Sequence, residues 1–196
     1  MSDQQTEFVS FPKMPRLFRE VVVTCKLDGT NAQIFIHDDG ATMQVGSRNR
    51  WITPENDNYS FARWAEDNKA ELLKLGPGRH FGEWFGAGIQ RRYGLAEKRF
   101  ALFNTGRWMP TNESGPGVSE RANPELPGPN CCYVVPILYQ GPFNEVKIRE
   151  CLDRLRNEGS IAAPGFMQPE GIIVYHTAAK QYFKITLDGD APKGAQ

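Results

Sequence analysis

Lys26 ends an apolar run, residues 20–25 (EVVVTC), and opens a polar bend that contains a glycine, residues 26–31 (KLDGTN). An amine is a nucleophile only after losing its proton, and partial burial or a neighbouring cation makes that form accessible. Taken alone, KxDG also fits a surface lysine before an ordinary turn. Two carboxylates raise a matching question. Glu83 stands among aromatics and glycines in FGEWFG, and Glu170 precedes the apolar run GIIV. An ionised carboxylate in apolar surroundings is costly unless a lysine, a metal ion or several hydrogen-bond donors compensate it. Lys184, in the apolar stretch YFKI, is the cationic counterpart. Two carboxylates and two lysines could gather around a phosphate and a divalent ion. Each alone could equally be an outward residue on a half-exposed strand.

The surrounding elements must position these groups. Residues 20–25 read as a buried strand, and residues 31–37 alternate apolar and polar, which predicts a β-hairpin with the bend at its tip. The turn DDG at residues 38–40 leads to a third strand at 42–46, completing an antiparallel meander. Tyr59, Ala62, Trp64, Ala65, Leu72, Leu73 and Leu75 form one stripe, which predicts a helix over 58–75, capped by Asn56 or Asp57 and stopped by Gly76, Pro77 and Gly78. Strands are expected at 79–85, 99–103 and 132–139. The 27 residues 105–131 hold five prolines and four glycines without sustained periodicity and read as a long loop or irregular excursion. A second amphipathic helix is expected over 144–157, with Val146, Ile148, Leu152 and Leu155 inward and Gly159 as its stop. Strands at 171–176 and 181–187 pair across a turn at 177–180, and the ending DGDAPKGAQ reads as frayed. There is no internal repeat, no heptad pattern and no regular βαβ alternation, so an α+β domain with antiparallel sheets fits best.

With 196 residues, 40% of them hydrophobic, the chain can bury one sizeable core. Its 23 Lys and Arg balance 23 Asp and Glu, so any polyanion must be held by a local patch. No apolar run approaches the roughly 20 residues of a membrane span. The N-terminus lacks the basic start and apolar stretch of a signal peptide, so a cytoplasmic protein without membrane contact is expected. Cys25, Cys131, Cys132 and Cys151 form no CxxC pair and stand near no histidine cluster. They are expected to be reduced thiols rather than zinc ligands or a disulfide framework.

Six segments stand in order along the chain: KLDGTN at 26–31, VGSRNR at 45–50, FGEWFGAGIQ at 81–90, RFALFN at 99–104, PEGIIVYH at 169–176 and YFKIT at 182–186. Over nearly the whole chain they resemble the motifs of the covalent nucleotidyltransferases, and within them the ATP-dependent RNA ligases of the bacteriophage T4 RNA ligase 2 type. The resemblance implies a nucleotidyltransferase (adenylation) domain over residues 1–187, with a flexible tail at 188–196. Its fold would be α+β, with antiparallel sheets flanked by helices and a ligand cleft between them. ATP and Mg2+ or Mn2+ would be the cofactors. Lys26 would attack the α-phosphorus to form lysyl-AMP, the AMP would pass to a 5′-phosphate end, and a 3′-hydroxyl would displace it.

By the same resemblance Arg48 contacts phosphate or ribose, Glu83 the ribose, and Glu170 the metal or the surroundings of the attacking lysine. Cys25 and Asn31 line the nucleotide, Lys184 stabilises phosphate charge, and Asp28 orients Lys26 or its metal environment. Phe103 stacks on adenine, although an aromatic in RFALF also fits the core and Phe100 is its rival. Thr30 and Asn31 favour RNA over DNA ligation. Arg91, Arg92, Lys98 and Arg99 stand against one acid, Glu97, in residues 88–99, a composition that suits either phosphate-backbone contact or a solvated loop. RNA ends or nicks are the expected partners of a monomer.

Departures from the family bear on these expectations. Only twelve residues follow Lys184, so no C-terminal OB or helical domain is expected, and another protein could replace its grip on RNA. Relatives often carry two lysines two positions apart in the fifth motif. Here Tyr182 and Thr186 flank Lys184, so a second cationic contact is missing or comes from Lys180. Asn104 stands where an aspartate is frequent. A protein that binds nucleotide or RNA ends without sealing them is the alternative of a different class. A DNA ligase or a capping-type nucleotidyltransferase is a third.

Overall fold

A computed structural model describes residues 6–112 and 115–189. The two strands that flank the KLDGTN bend belong to different sheets. Strand β1 (Glu20–Lys26) is interior to a four-stranded sheet with β11 (Ile137–Pro142) on one side and β12 (Gly171–His176) then β13 (Gln181–Thr186) on the other, all antiparallel. Strand β2 (Thr30–Ile36) belongs to the other sheet, of six strands. There it lies between β3 (Met43–Ser47) and β5 (Gly78–Gly86), with β4 (Trp51–Ile52), β6 (Lys98–Leu102) and β10 (Cys132–Val134) beyond. The expected hairpin of residues 20–37 is therefore absent. Both edges of β1 are taken by β11 and β12, so the bend carries the chain from one sheet to the other.

A second crossing replaces the single strand expected at 132–139. Strand β10 pairs with β6 in parallel, so this sheet is mixed rather than purely antiparallel. Pro136, which has no N–H to give a ladder, follows β10, and its carbonyl accepts the Cys25 N–H at 2.9 Å as the chain enters the four-stranded sheet.

Two cores result. One face of the six-stranded sheet (Ala32, Ile34, Ile36, Trp84, Phe100, Leu102) packs on Phe61, Ala62, Ala65, Leu72 and Leu75. The Phe61 and Trp84 rings meet edge to face at 5.3 Å, a favoured aromatic geometry. The second core joins Val21, Val23, Cys25, Ile172 and Val174 to Leu27, Phe85, Tyr93 and the inner face of α3 (Glu145–Glu158). Asn144 caps α3 by accepting the N–H groups of Val146 and Lys147, and Gly159 stops it with φ 81°. Ile148, Cys151 and Leu155 face inward, whereas Val146, expected inside, is 63% exposed in the first turn.

The helix expected over 58–75 is three pieces: α1 (Phe61–Asp67), α2 (Lys69–Leu72) and a 3-10 turn (Leu73–Leu75). Asn68 interrupts it, its side-chain amide donating to Trp64 O at 2.8 Å in competition with the backbone pattern. Asp57 does cap the start, accepting from the N–H groups of Ala62 at 2.7 Å and Arg63 at 3.1 Å. Residues 105–131 are not a structureless loop. They hold a three-stranded antiparallel sheet of β7 (Trp108–Pro110), β8 (Val118–Glu120) and β9 (Asn123–Pro127), anchored by buried Trp108 and Val118. Prolines at the ends of short strands obscure the period-two pattern there. Of the tail, Asp188 and Gly189 are described and residues 190–196 lie outside the described residues. All four cysteines are free. No described helix is long and apolar enough to cross a membrane.

Candidate active site

The two crossings bring the ends of both sheets together around Lys26. Its Nζ lies 2.5 Å from Glu170 Oε2, and both side chains are less than a quarter exposed. Glu170 immediately precedes β12, whose first residue, Gly171, pairs with Lys26, so register alone sets amine and carboxylate side by side. Glu83 comes from the other sheet. In β5 it pairs with Asn31, whose side-chain amide donates to Glu83 Oε2 at 2.9 Å, while the Gly29 N–H donates to Oε1 at 3.0 Å. Burial pushes the Glu83 carboxyl up to about 7 and the negative charge of Glu170 adds to the rise, against the lowering effects of the Gly29 N–H, the Lys26 ammonium and the Asn31 amide.

The bend itself is held from a third direction. Tyr93 is buried, with φ 53°, and its hydroxyl accepts the Asp28 N–H at 2.8 Å. Burial raises this hydroxyl above its ordinary range, which keeps it protonated. The ring sits between Phe85 and Phe166, at centroid distances of 5.3 and 4.8 Å. Arg91 donates through Nε to Asp28 Oδ2 at 3.0 Å, through Nη1 to Gln168 O at 3.1 Å and through Nη2 to Asp188 Oδ2 at 2.5 Å. It thus ties together the bend, the approach to Glu170 and the chain beyond β13. Neither Tyr93 nor Asp188 was identifiable from sequence, where RRYG signals only a turn.

Lys184 is exposed on β13, opposite Ile173, on the strand adjoining β12. Phe103 lies just past β6 and is 37% exposed, whereas Phe100 is wholly buried in the first core. Phe81, two residues before Glu83 on the same face of β5, is 51% exposed and was not anticipated. Arg48 is exposed one residue beyond the Ala32–Ser47 pair, level with Asn31. The Cys25 side chain points the other way, into the second core, where burial raises its thiol to about 12, so only its backbone borders the site. Arg91 is engaged within the chain, Arg92 is exposed, and Arg99 pairs with Glu97 at 2.9 Å and covers the Tyr133 ring. Lys98 lines a separate open groove with Arg63, Trp64 and Glu97.

Among the described residues no group of three or more His, Cys, Asp or Glu side chains gathers to hold a metal ion. Glu83 and Glu170 are the carboxylates near Lys26, and Asp28 is taken up by Arg91. That donor set fits a magnesium ion that arrives on a nucleotide. Such an ion keeps several waters and takes one or two carboxylates plus substrate phosphates.

The sequence profile of the RNA ligase family matches residues 19–186. No curated protein matches the chain. Among solved structures, an apo lysine-to-alanine variant of Naegleria gruberi RNA ligase is similar with a TM-score of 0.56 and 20% identity, covering 87% of this chain and 50% of that one. Another lysine-to-alanine variant, with ATP and Mn, gives 0.55 at 20% identity over 87% of this chain and 50% of that one. A glutamate-to-alanine variant with AMP and Mn gives 0.56 at 20% identity over 88% and 51%. The chain spans about half the length of these proteins, and at this identity the likeness is one of fold.

Proposed function

The chain belongs to the RNA ligase family, and we propose that it is an ATP-dependent RNA ligase of the bacteriophage T4 RNA ligase 2 type, working through lysyl-AMP on Lys26. The observation that carries this reading is the placement of the Lys26 amine 2.5 Å from Glu170 and within the electrostatic reach of Glu83, on strands from two different sheets. Before its nitrogen can bond to phosphorus, the Lys26 ammonium must lose a proton, and Glu170 Oε2 is the acceptor within reach. The new N–P bond forms at the α-phosphorus of ATP as the bond to pyrophosphate breaks, and pyrophosphate leaves with the electron pair. An oxygen of an RNA 5′-phosphate then attacks the AMP phosphorus and frees the amine. A 3′-hydroxyl finally attacks the activated 5′-phosphate, forming the phosphodiester and releasing AMP.

Negative charge builds on phosphate oxygens at each step, so positioned cations contribute the main electrostatic stabilisation. Lys184 and Arg48 supply it from β13 and from the end of β3, and Glu83 meets the ribose. A divalent ion, held by Glu170 and the substrate phosphates, would neutralise phosphate charge when bound. Phe81 and Phe103 offer an aromatic surface for the base. Incubation with magnesium and ATP radiolabelled at its α-phosphate should label the protein, with ATP competing and GTP and NAD not. Nicked or single-stranded RNA should then be joined. Equal labelling of Lys26→Ala, or labelling from GTP alone, would overturn this reading.

A further inference from the structure

The sheet face that carries Lys26 continues beyond it. Lys26, Thr24 and Val22 point to one side of β1, and their partners across β12 and β13 follow in three rungs: Gly171 with Thr186, Ile173 with Lys184, Tyr175 with Tyr182. The opposite face buries Val21, Val23, Cys25, Ile172 and Val174, so this face is the open one. On its third rung the Tyr175 and Tyr182 rings meet in a tilted arrangement, centroids 4.5 Å apart and planes at 32°, with Tyr182 67% exposed. Successive rungs lie about 7 Å apart along a strand. The tyrosine pair therefore begins one rung beyond Lys184 and two beyond Lys26.

The hairpin that carries the pair has charge of one sign, while Glu20, two residues before Val22 on the same face of β1, accepts the Gln140 side-chain amide at 2.9 Å. Residues 171–187 contain no Asp or Glu, while Lys180 and Lys184 are exposed on the same hairpin. A π-surface flanked by cations of its own hairpin suits an unpaired base and its phosphate, because any base can stack and each phosphate contact releases counterions.

We propose that Tyr175 and Tyr182 form a stacking platform for an unpaired base of the RNA strand next to the join, with Lys180 on the neighbouring phosphate. This deepens, and rests on, the RNA ligase reading of the Lys26 site. The test is a cycle of variants and substrates. Fluorescence anisotropy measures binding of a 5′-phosphorylated single-stranded RNA, and of the same strand with an abasic sugar at each terminal position in turn. Tyr182→Ala should bind the intact strand about tenfold more weakly than the parent, and Tyr182→Trp should restore binding. The parent should lose about as much when the stacked base is removed, and Tyr182→Ala should lose nothing further at that position. A merely structural role for Tyr182 would weaken intact and abasic strands alike, and thermal melting of each variant detects misfolding. The proposal is overturned if Tyr182→Ala binds intact RNA within about twofold of the parent, if the two losses simply add, or if the parent binds no RNA. Self-labelling of the parent by ATP, in which RNA takes no part, reports separately on the ligase reading.

Discussion

Glu83, in the six-stranded sheet, accepts the N–H of Gly29 at 3.0 Å and so grips the turn that carries the chain out of the four-stranded sheet just after Lys26. Close approach makes glycine necessary at this turn. A Cβ on Gly29 would lie 2.3 Å from Trp84 O and 2.8 Å from Phe85 Cβ, both in the buried body of β5. Neither neighbour can yield without disturbing a core. Gly29→Ala should lower unfolding stability by about 2 kcal/mol and slow lysyl-AMP formation at least about tenfold by moving Lys26. Urea denaturation and ATP labelling measure the two effects, and a variant matching the parent in both refutes the steric account.

Glu83 makes stability depend on pH in a definite direction. Its carboxyl titrates at about 7 in the folded protein against 4.5 ordinarily, because it is buried. Between those values the folded state binds more protons than the unfolded one, so this group's contribution to stability falls as pH rises through the window and is level above it. The full effect is roughly 3 kcal/mol at most. Glu83→Gln cannot titrate and should lose that slope. Denaturation at about pH 5 and about pH 8 compares the two proteins. Parallel losses in parent and variant would show that some other group is responsible.

What could be read from sequence, and what could not, divides along local and non-local lines. Lys26 and Glu83 stand out because each sets a charge in an apolar strand, Glu170 because it directly precedes one, and the α3 cap at Asn144 and stop at Gly159 are local chemistry. The partner of β1 is not local. The KLDGTN bend satisfies every hairpin signal, yet β11 and β12, more than a hundred residues away, occupy both edges of β1. The 132–139 run reads as one strand because Pro136 interrupts it without breaking its apolar character. Between α1 and α2, Asn68 looks like an ordinary polar position until its amide is seen on Trp64 O. Arg91 reads as a phosphate contact by composition, and only the fold reveals Asp28 and Asp188 against it.

The Arg91 contacts make it a positioning residue. Arg91→Ala should slow self-labelling by ATP, because it frees the bend next to Lys26 and the Gln168 segment that leads to Glu170. The expected loss is several-fold in the labelling rate. Stability should change by only about 1 kcal/mol, because the guanidinium is partly exposed. Asp188→Ala, which removes one exposed partner, should have a smaller effect. A normal labelling rate in Arg91→Ala, together with weakened RNA joining, would instead return Arg91 to the role of a backbone contact.

The coupling between Lys26, Glu170 and Glu83 can be read directly from one titration. The Lys26 ammonium lowers the Glu83 pKa and the Glu170 carboxylate raises it, both acting on a group set near 7 by burial. Lys26→Met removes the attraction and should move the Glu83 midpoint upward. Glu170→Gln removes the repulsion and should move it downward. NMR titration of the Glu83 side-chain carboxyl carbon follows both shifts, with Glu83→Gln identifying the signal. Opposite shifts place all three charges in one electrostatic unit around the amine. Shifts of the same sign, or none, would separate Glu83 from the Lys26–Glu170 pair and with it the idea that carboxylates from both sheets act on a single nucleotide.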